Sequence, residues 1–224
     1  MIKFLIKKSR DLAVGDYRSK ILSDLVVKKI IKHNKKRSIK ILDYGSGFQP
    51  NVIYFVYNKL TVVYKKKVAV DCYDFYTSKQ LSKLNKKEKL PINFHKIDTI
   101  KLNKKKYDFA IINDVLHHIG IEKEVFIKNL LNDLLAKAKI IFIKDHFQQG
   151  FISNQIIRLM DFLGNYFNGV PIPKIYYTKK TFRELIKKTN GSISEIILEI
   201  KLYPAYLLLL SNPKFNFACI IKRK

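Results

Sequence analysis

The stretch IKILDYGSGFQPN, residues 39–51, decides how the other residues of this 224-residue chain are read. Ile39, Ile41 and Leu42 form the end of an apolar strand. Asp43-Tyr44-Gly45-Ser46-Gly47 is a turn that glycine-rich backbone makes most easily. A helix-compatible run, residues 52–57, follows at once. Strand, tight turn and helix in that order open a nucleotide-binding α/β unit. The glycines let backbone approach a ligand, and the helix start presents N–H donors that have no partner within the helix. A short Gly pattern alone also occurs in ordinary loops, so the weight falls on what flanks it.

Upstream, a basic lead-in (1–15) precedes an amphipathic helix over 16–31, with Ile21, Leu22, Leu25, Val26 and Ile30 at helical spacing. Downstream, a succession of apolar runs ends in acids. KVAVD (67–71) reads as strand two and is followed by Cys72-Tyr73-Asp74, then a Lys-rich run to residue 90. Residues 92–96 read as strand three, with Ile97-Asp98-Thr99 after it. YDFAIIN (107–113) reads as strand four, leading into Asp114-Val115-Leu116-His117-His118. A helix over 122–136 precedes strand five (139–144), which ends in Asp145-His146. Alternating strands and helices predict a parallel, doubly wound sheet with its site beyond the carboxyl ends of the strands. Residues 147–177 break the alternation with a helical piece around 155–163 and a turn at 169–173, and are read as a lid. Thr178, or alternatively Thr181, caps a helix running to Lys188. Strands at 193–203 and 216–223 close the chain, separated by an apolar stretch at 205–210.

The length fits one domain, 1–224, with a helical cap at 1–37 and the lid at 147–177. A net charge of +26 directs attention to polyanions. Yet only six residues are arginine against 38 lysines, and geometric phosphate recognition favours arginine. The excess of Lys, Ile, Asn and Tyr, with no Trp, reads as base-composition drift rather than a nucleic-acid surface. Cys72 and Cys219 lie in apolar runs without metal spacing, as reduced thiols do in a cytoplasmic protein. Neither a signal peptide nor a membrane span of about 20 apolar residues is legible.

Taken jointly, ILDYGSGFQ, VAVD, Ile97-Asp98 and YDFAIINDVLHHI resemble the class I S-adenosylmethionine (SAM)-dependent methyltransferases, in particular their small-molecule group. The specific motifs span residues 39–143 and the topology runs to the C-terminus. One departure is Gln49 followed by Pro50, where the family's first motif carries a third glycine; Pro suits the first turn of a helix. The resemblance implies a Rossmann-like seven-stranded sheet with an antiparallel last strand and a helical lid after strand five. It also implies SAM as cofactor and a small-molecule acceptor, methylated on O or N, with a lipid-like molecule or a glycan precursor as the candidate types.

On that resemblance Asp71 accepts the ribose hydroxyls, with Asp74 as fallback, while Gly45, Ser46 and Gly47 line the amino-acid end of SAM. Asp43 lies near its ammonium, Cys72 next to the ribose acid, Asp98 and Thr99 by the adenine, and Asn113 near the transferred methyl. Any of these acids also serves as a turn cap in an ordinary loop. His146, oriented by Asp145, is the expected general base, because strand five delivers it to the cleft. His117, Asp161, Asn165 and Tyr176 are the expected acceptor-binding residues; Asp161 and Asn165 share a helix face at i, i+4. Adjacent His117 and His118 have no third ligand at metal spacing, so no metal site is expected. A nucleic-acid (RNA) methyltransferase and a non-catalytic SAM-binding partner are the alternatives. Against the former, strand four lacks the Pro-Pro-aromatic signature of base-amine methylation. A nicotinamide dehydrogenase comes last, since no Ser/Tyr/Lys constellation is visible. A monomer or homodimer, with peripheral membrane contact left open by the charge, completes the reading.

Overall fold

The computed structural model describes residues 16–47, 50–75, 91–100, 104–165, 170–204 and 212–224. The basic lead-in at 1–15, Gln49, the Lys-rich run at 76–90 and the apolar stretch at 205–210 lie outside them, as does Gly169 of the lid turn.

The described elements are α1 (Tyr17–His33), β1 (Ser38–Tyr44), α2 (Asn51–Asn58), β2 (Lys67–Asp74), β3 (Ile92–Lys96), β4 (Tyr107–Asn113), α3 (Leu116–Ile119), α4 (Glu124–Lys137), β5 (Ala138–His146), α5 (Phe151–Asn165), α6 (Lys179–Lys187), β6 (Gly191–Leu198) and β7 (Asn216–Arg223). They build a seven-stranded sheet of order β3-β2-β1-β4-β5-β7-β6. β1 to β5 pair in parallel, and β7 runs antiparallel to both β5 and β6. The reversal of strand order between β1 and β4 opens a crevice where ligands bind in open α/β sheets.

Period-2 alternation of apolar residues sends two sets of side chains to opposite faces. Ile39, Ile41, Val70, Phe109 and Phe142 pack against Leu22, Val26 and Ile30 of α1 and Ile53 and Val56 of α2. Leu42, Ala110, Ile112, Ile141 and Ile143 pack against Leu131 and Leu134 of α4 and Phe182 and Leu185 of α6. Leu131 is fully buried, and its truncation to Ala would cost about 2–5 kcal/mol in a core packed on both sides.

Two strand ends differ from the sequence reading, each for a local reason, and one helix cap agrees with it. β2 continues three residues past Asp71, because Asp71 to Asp74 keep their parallel pairing with β3 from Asn93 to Lys96. β6 stops at Leu198, five residues earlier than expected, where Glu199 turns to a φ of 57°. The last helix uses both proposed caps at once: Thr178 Oγ1 accepts the Thr181 N–H, and Thr181 Oγ1 accepts the Thr178 N–H.

Candidate active site

The glycine turn places two acids side by side at the ends of β1 and β2. Gly45 has a φ of 76° and donates its N–H to Tyr73 O at 2.8 Å. A Cβ at Gly45 would lie 2.3 Å from Val115 Cγ2, so no larger residue fits. Gly47, φ 73°, has nothing among the described residues within 4 Å of the position a Cβ would take, so its backbone can be approached from that side. Its N–H donates to Asp74 Oδ2 at 2.7 Å. Asp43 is buried and its carboxyl is pushed up to about 7 by that burial and by the charge of Asp74. Ser46 lies between the two glycines, half-buried.

Asp71 sits elsewhere. Its carboxylate accepts from Asn93 Nδ2 (3.1 Å), His95 Nε2 (2.9 Å), Lys105 Nζ (3.2 Å) and Tyr107 Oη (2.9 Å). Burial opposes its charge, but these donors more than offset that and hold its carboxyl below the usual range. Asp71 therefore ties β2 to β3 and β4, and Asp74 is the acid that the structure sets against the glycine turn. The longer β2 accounts for the change, because it carries the strand's end three residues on. Phe75 follows Asp74 with 73% of its surface exposed. The Cys72 side chain is fully buried in the core, with the thiol 3.9 Å from Asp43 Oδ2. Asp98 and Thr99 lie exposed on a short turn after β3; Asp98 pairs with Lys96 at 3.2 Å, and the Thr99 hydroxyl donates to Lys96 O. Asn113 ends β4 with its Oδ1 buried and without a hydrogen-bond donor among the described residues.

The second half of the site lies where β4, β5 and α5 meet. Asp145 is buried and accepts the N–H groups of Leu116, His117 and His146, besides His117 Nδ1 at 2.5 Å. Asp145 thus orients His117 and not, as its position in the sequence suggested, the ring of His146. Neighbours on a strand point to opposite faces, and the start of α3 offers the unpaired N–H groups. His117 Nε2 lies 3.2 Å from Asp161 on α5. Burial disfavours its charge, yet Asp145 on one side and Asp161 on the other more than offset that and raise it to about 9. Tyr176 donates its hydroxyl to Asp161. Asn165 ends α5, half-buried, one turn beyond Asp161. His118 Nδ1 bonds Pro171 O at 2.9 Å, and burial lowers it to about 4.

His146 is buried, with Nε2 3.4 Å from Lys144 Nζ and 3.3 Å from Asp114 Oδ1. Burial first, and then the charge of Lys144, pushes its pKa well below 6.5, so the ring is neutral at neutral pH. Three members of this group were missed in the sequence. Lys144 is fully buried and bonds Asp114, while Arg18 of α1 reaches the other oxygen of the same carboxylate. Asp114 itself has a φ of 53°. The signals were there: a lysine inside the apolar strand FIKDH, and one of only six arginines facing the site.

No family model matches the chain, and no curated protein sequence matches it. The solved structures do. The strand order and the antiparallel β7 give this chain the fold of the class I SAM-dependent methyltransferases. The plantazolicin methyltransferase BpumL in complex with SAH superposes with a TM-score of 0.62 at 17% identity, over 99% of this chain and 90% of that one. A SAM-dependent methyltransferase from Clostridium acetobutylicum ATCC 824 gives 0.60 at 12%, over 91% of each chain. The mitomycin 7-O-methyltransferase MmcR gives 0.64 at 11%; this chain is covered over 94% but spans only 55% of that enzyme's length.

Proposed function

We propose that the protein transfers the methyl group of SAM to a small-molecule acceptor, at oxygen or nitrogen. The observation that carries this reading is the pair Asp43 and Asp74 flanking the Gly45–Gly47 turn. An acid pushed up to about 7 by burial and by a neighbouring acid favours a positively charged ligand, and a second acid bonded to the turn suits a ribose diol. SAM carries both features. The open backbone at Gly47 and the donor-lacking Asn113 Oδ1 fit such a ligand as well. The structural neighbours named as small-molecule methyltransferases support the same reaction class.

SAM, when bound, supplies a methyl group already activated on a sulfonium. The chain's own residues then have positioning work to do. Gly45 and Gly47 admit the amino-acid end, Asp74 accepts the ribose hydroxyls, and Phe75 offers an exposed ring for the adenine to stack on. Asp98 accepts the adenine amino group. On the acceptor side, neutral His146 takes the acceptor's proton, and His117, Asp161 and Tyr176 hold the acceptor beneath the lid. Mass spectrometry of the purified protein for co-purified SAM or its demethylated product tests the cofactor. Transfer of label from methyl-labelled SAM into a metabolite extract then tests the reaction; an absence of both defeats the reading.

The acceptor is lipid-like on this reading, and one surface favours it. Phe151, Ile152, Leu159, Phe162 and Leu163 of α5 fall on one helical face and are 41–78% exposed. The helix's single acid, Asp161, is buried, so the apolar face carries no negative charge. In a chain of net charge +26, such a helix suits the surface of an anionic membrane, where the acceptor would be met.

A further inference from the structure

We propose that His117, His118 and Asp161 form a binding site for a divalent transition metal of the zinc type. One ligand atom from each lies within 4.8 Å of the others. Two come from α3, at the end of β4, and the third from the lid helix α5, 43 residues or more along the chain.

The geometry at His117 singles out this cluster. Its Nε2 is buried and makes no hydrogen bond, although Asp161 lies only 3.2 Å away. The two atoms are close enough to interact but do not meet hydrogen-bond geometry. Donors at that separation span an edge of a tetrahedron about a metal with bonds of about 2.0–2.1 Å, which is about 3.3 Å. A metal between them would turn a poorly aligned contact into two bonds.

Each ligand is also held from behind, as metal ligands are. The Asp145 carboxylate accepts from His117 Nδ1 at 2.5 Å, so the proton that a metal displaces is the one on Nε2. Pro171 O takes His118 Nδ1 at 2.9 Å; a carbonyl only accepts, so the His118 proton is on Nδ1 and its Nε2 is the donor to a metal. Tyr176 donates its hydroxyl to Asp161 and fixes that carboxylate. A second grouping, Asp114, His117 and Asp145, meets the same distance limit. Its carboxylates are already taken: Asp114 by Lys144 and Arg18, Asp145 by three backbone N–H groups and His117.

Two imidazoles and one carboxylate select zinc, cobalt or iron over magnesium or calcium, which prefer oxygen alone. Three protein ligands leave a fourth position on the half-exposed His118 side. A metal there would pin the lid helix to the end of β4, and His117 and Asp161 would then meet the acceptor through its open fourth position. The inference is independent of the methyl-transfer reading, because binding of the metal needs neither SAM nor acceptor.

The test is titration of the tag-free, metal-stripped protein with Co²⁺ and Zn²⁺. We expect one Co²⁺ per chain with the intense visible absorption of a tetrahedral site, displaced by one equivalent of Zn²⁺. His118→Gln and Asp161→Asn should each weaken Zn²⁺ binding at least about tenfold, and Tyr176→Phe by about tenfold, as for outer partners of metal ligands. His33→Gln, remote from the cluster, should leave it unchanged. Because His118 is half-exposed, His118→Gln should keep the wild-type circular dichroism, and folding is checked that way. Absence of stoichiometric binding, or binding that His118→Gln and Asp161→Asn leave intact, overturns the proposal.

Discussion

The Gly47 N–H donates to Asp74 Oδ2 at 2.7 Å, so the turn that ends β1 is bonded to the acid that ends β2. That bond orients the carboxylate at the turn. Replacing Asp74 by Ala should lower SAM affinity by about 1–3 kcal/mol, or roughly 5- to 150-fold. Asp71→Ala should act differently: it removes the acceptor of four donors and lowers the melting temperature, with a smaller change in SAM affinity. Calorimetric titration of both variants decides the matter. A large affinity loss in Asp71→Ala together with none in Asp74→Ala would return the ribose to Asp71.

Asp43 makes stability depend on pH. Its native pKa, about 7, lies above the ordinary 3.8 because of burial and the charge of Asp74. Between those values the folded state keeps a proton that the unfolded state has lost. Stability therefore falls as pH rises from about 4 through about 7, by on the order of 4 kcal/mol at most. Asp43→Asn should remove that slope and leave the variant more stable than the parent above about pH 7. Urea denaturation at several pH values checks this; parallel curves for the two proteins would contradict it.

Much of the fold was legible because it rests on periodic patterns. Strand runs such as YDFAIIN and the glycine turn fix the parallel sheet, and its seven strands follow. The site was legible only where it is local. Nothing in KVAVDCYD says that pairing with β3 carries the strand on to Asp74, since that depends on a neighbour 22 residues away. Asp145 and His146 were rightly placed at the end of β5, but the carboxylate's partner, His117, comes from 28 residues upstream. Arg18, Lys144 and Asp114 meet through three separate elements, and spacing along a chain carries no such information.

The exposed apolar face of α5 predicts binding to vesicles. The protein should co-sediment with vesicles rich in an anionic phospholipid and far less with zwitterionic ones, with binding reduced as salt rises. Phe151→Ser with Ile152→Ser should weaken it by roughly tenfold or more, since the pair exposes 78% and 75% of its surface. If instead the variant binds vesicles normally but loses a dimer seen by light scattering, the face belongs to a second copy of the chain.

His146 is neutral at neutral pH because of burial and the charge of Lys144. As the proton acceptor it should be dispensable for binding SAM and needed for turnover. His146→Asn is expected to lower methyl transfer about 10²- to 10⁴-fold with SAM affinity unchanged. Near-full turnover in this variant would leave alignment of the acceptor as the whole of the catalysis.

The cluster of Arg18, Asp114 and Lys144 allows a sharper test, because its members fail in a defined order. Lys144 is fully buried, and burial and the charge of Arg18 push its amine well below the ordinary lysine value. Asp114 is the carboxylate that Lys144 and Arg18 share. Asp114→Ala strips that partner from two cations at once and should cost about 3 kcal/mol, the lower end for a broken buried pair because Asp114 keeps some contact with water. Lys144→Met removes the buried amine and keeps its stem, and Asp114 keeps Arg18, so it should cost less than Asp114→Ala in the parent chain. Combined with Asp114→Ala it should recover much of the loss, which is a coupling between neighbours and not the sum of two independent changes. Denaturant curves for the four proteins of this cycle measure that coupling. Additive losses would mean that Asp114 holds α1 through Arg18 alone, with Lys144 indifferent to its charge.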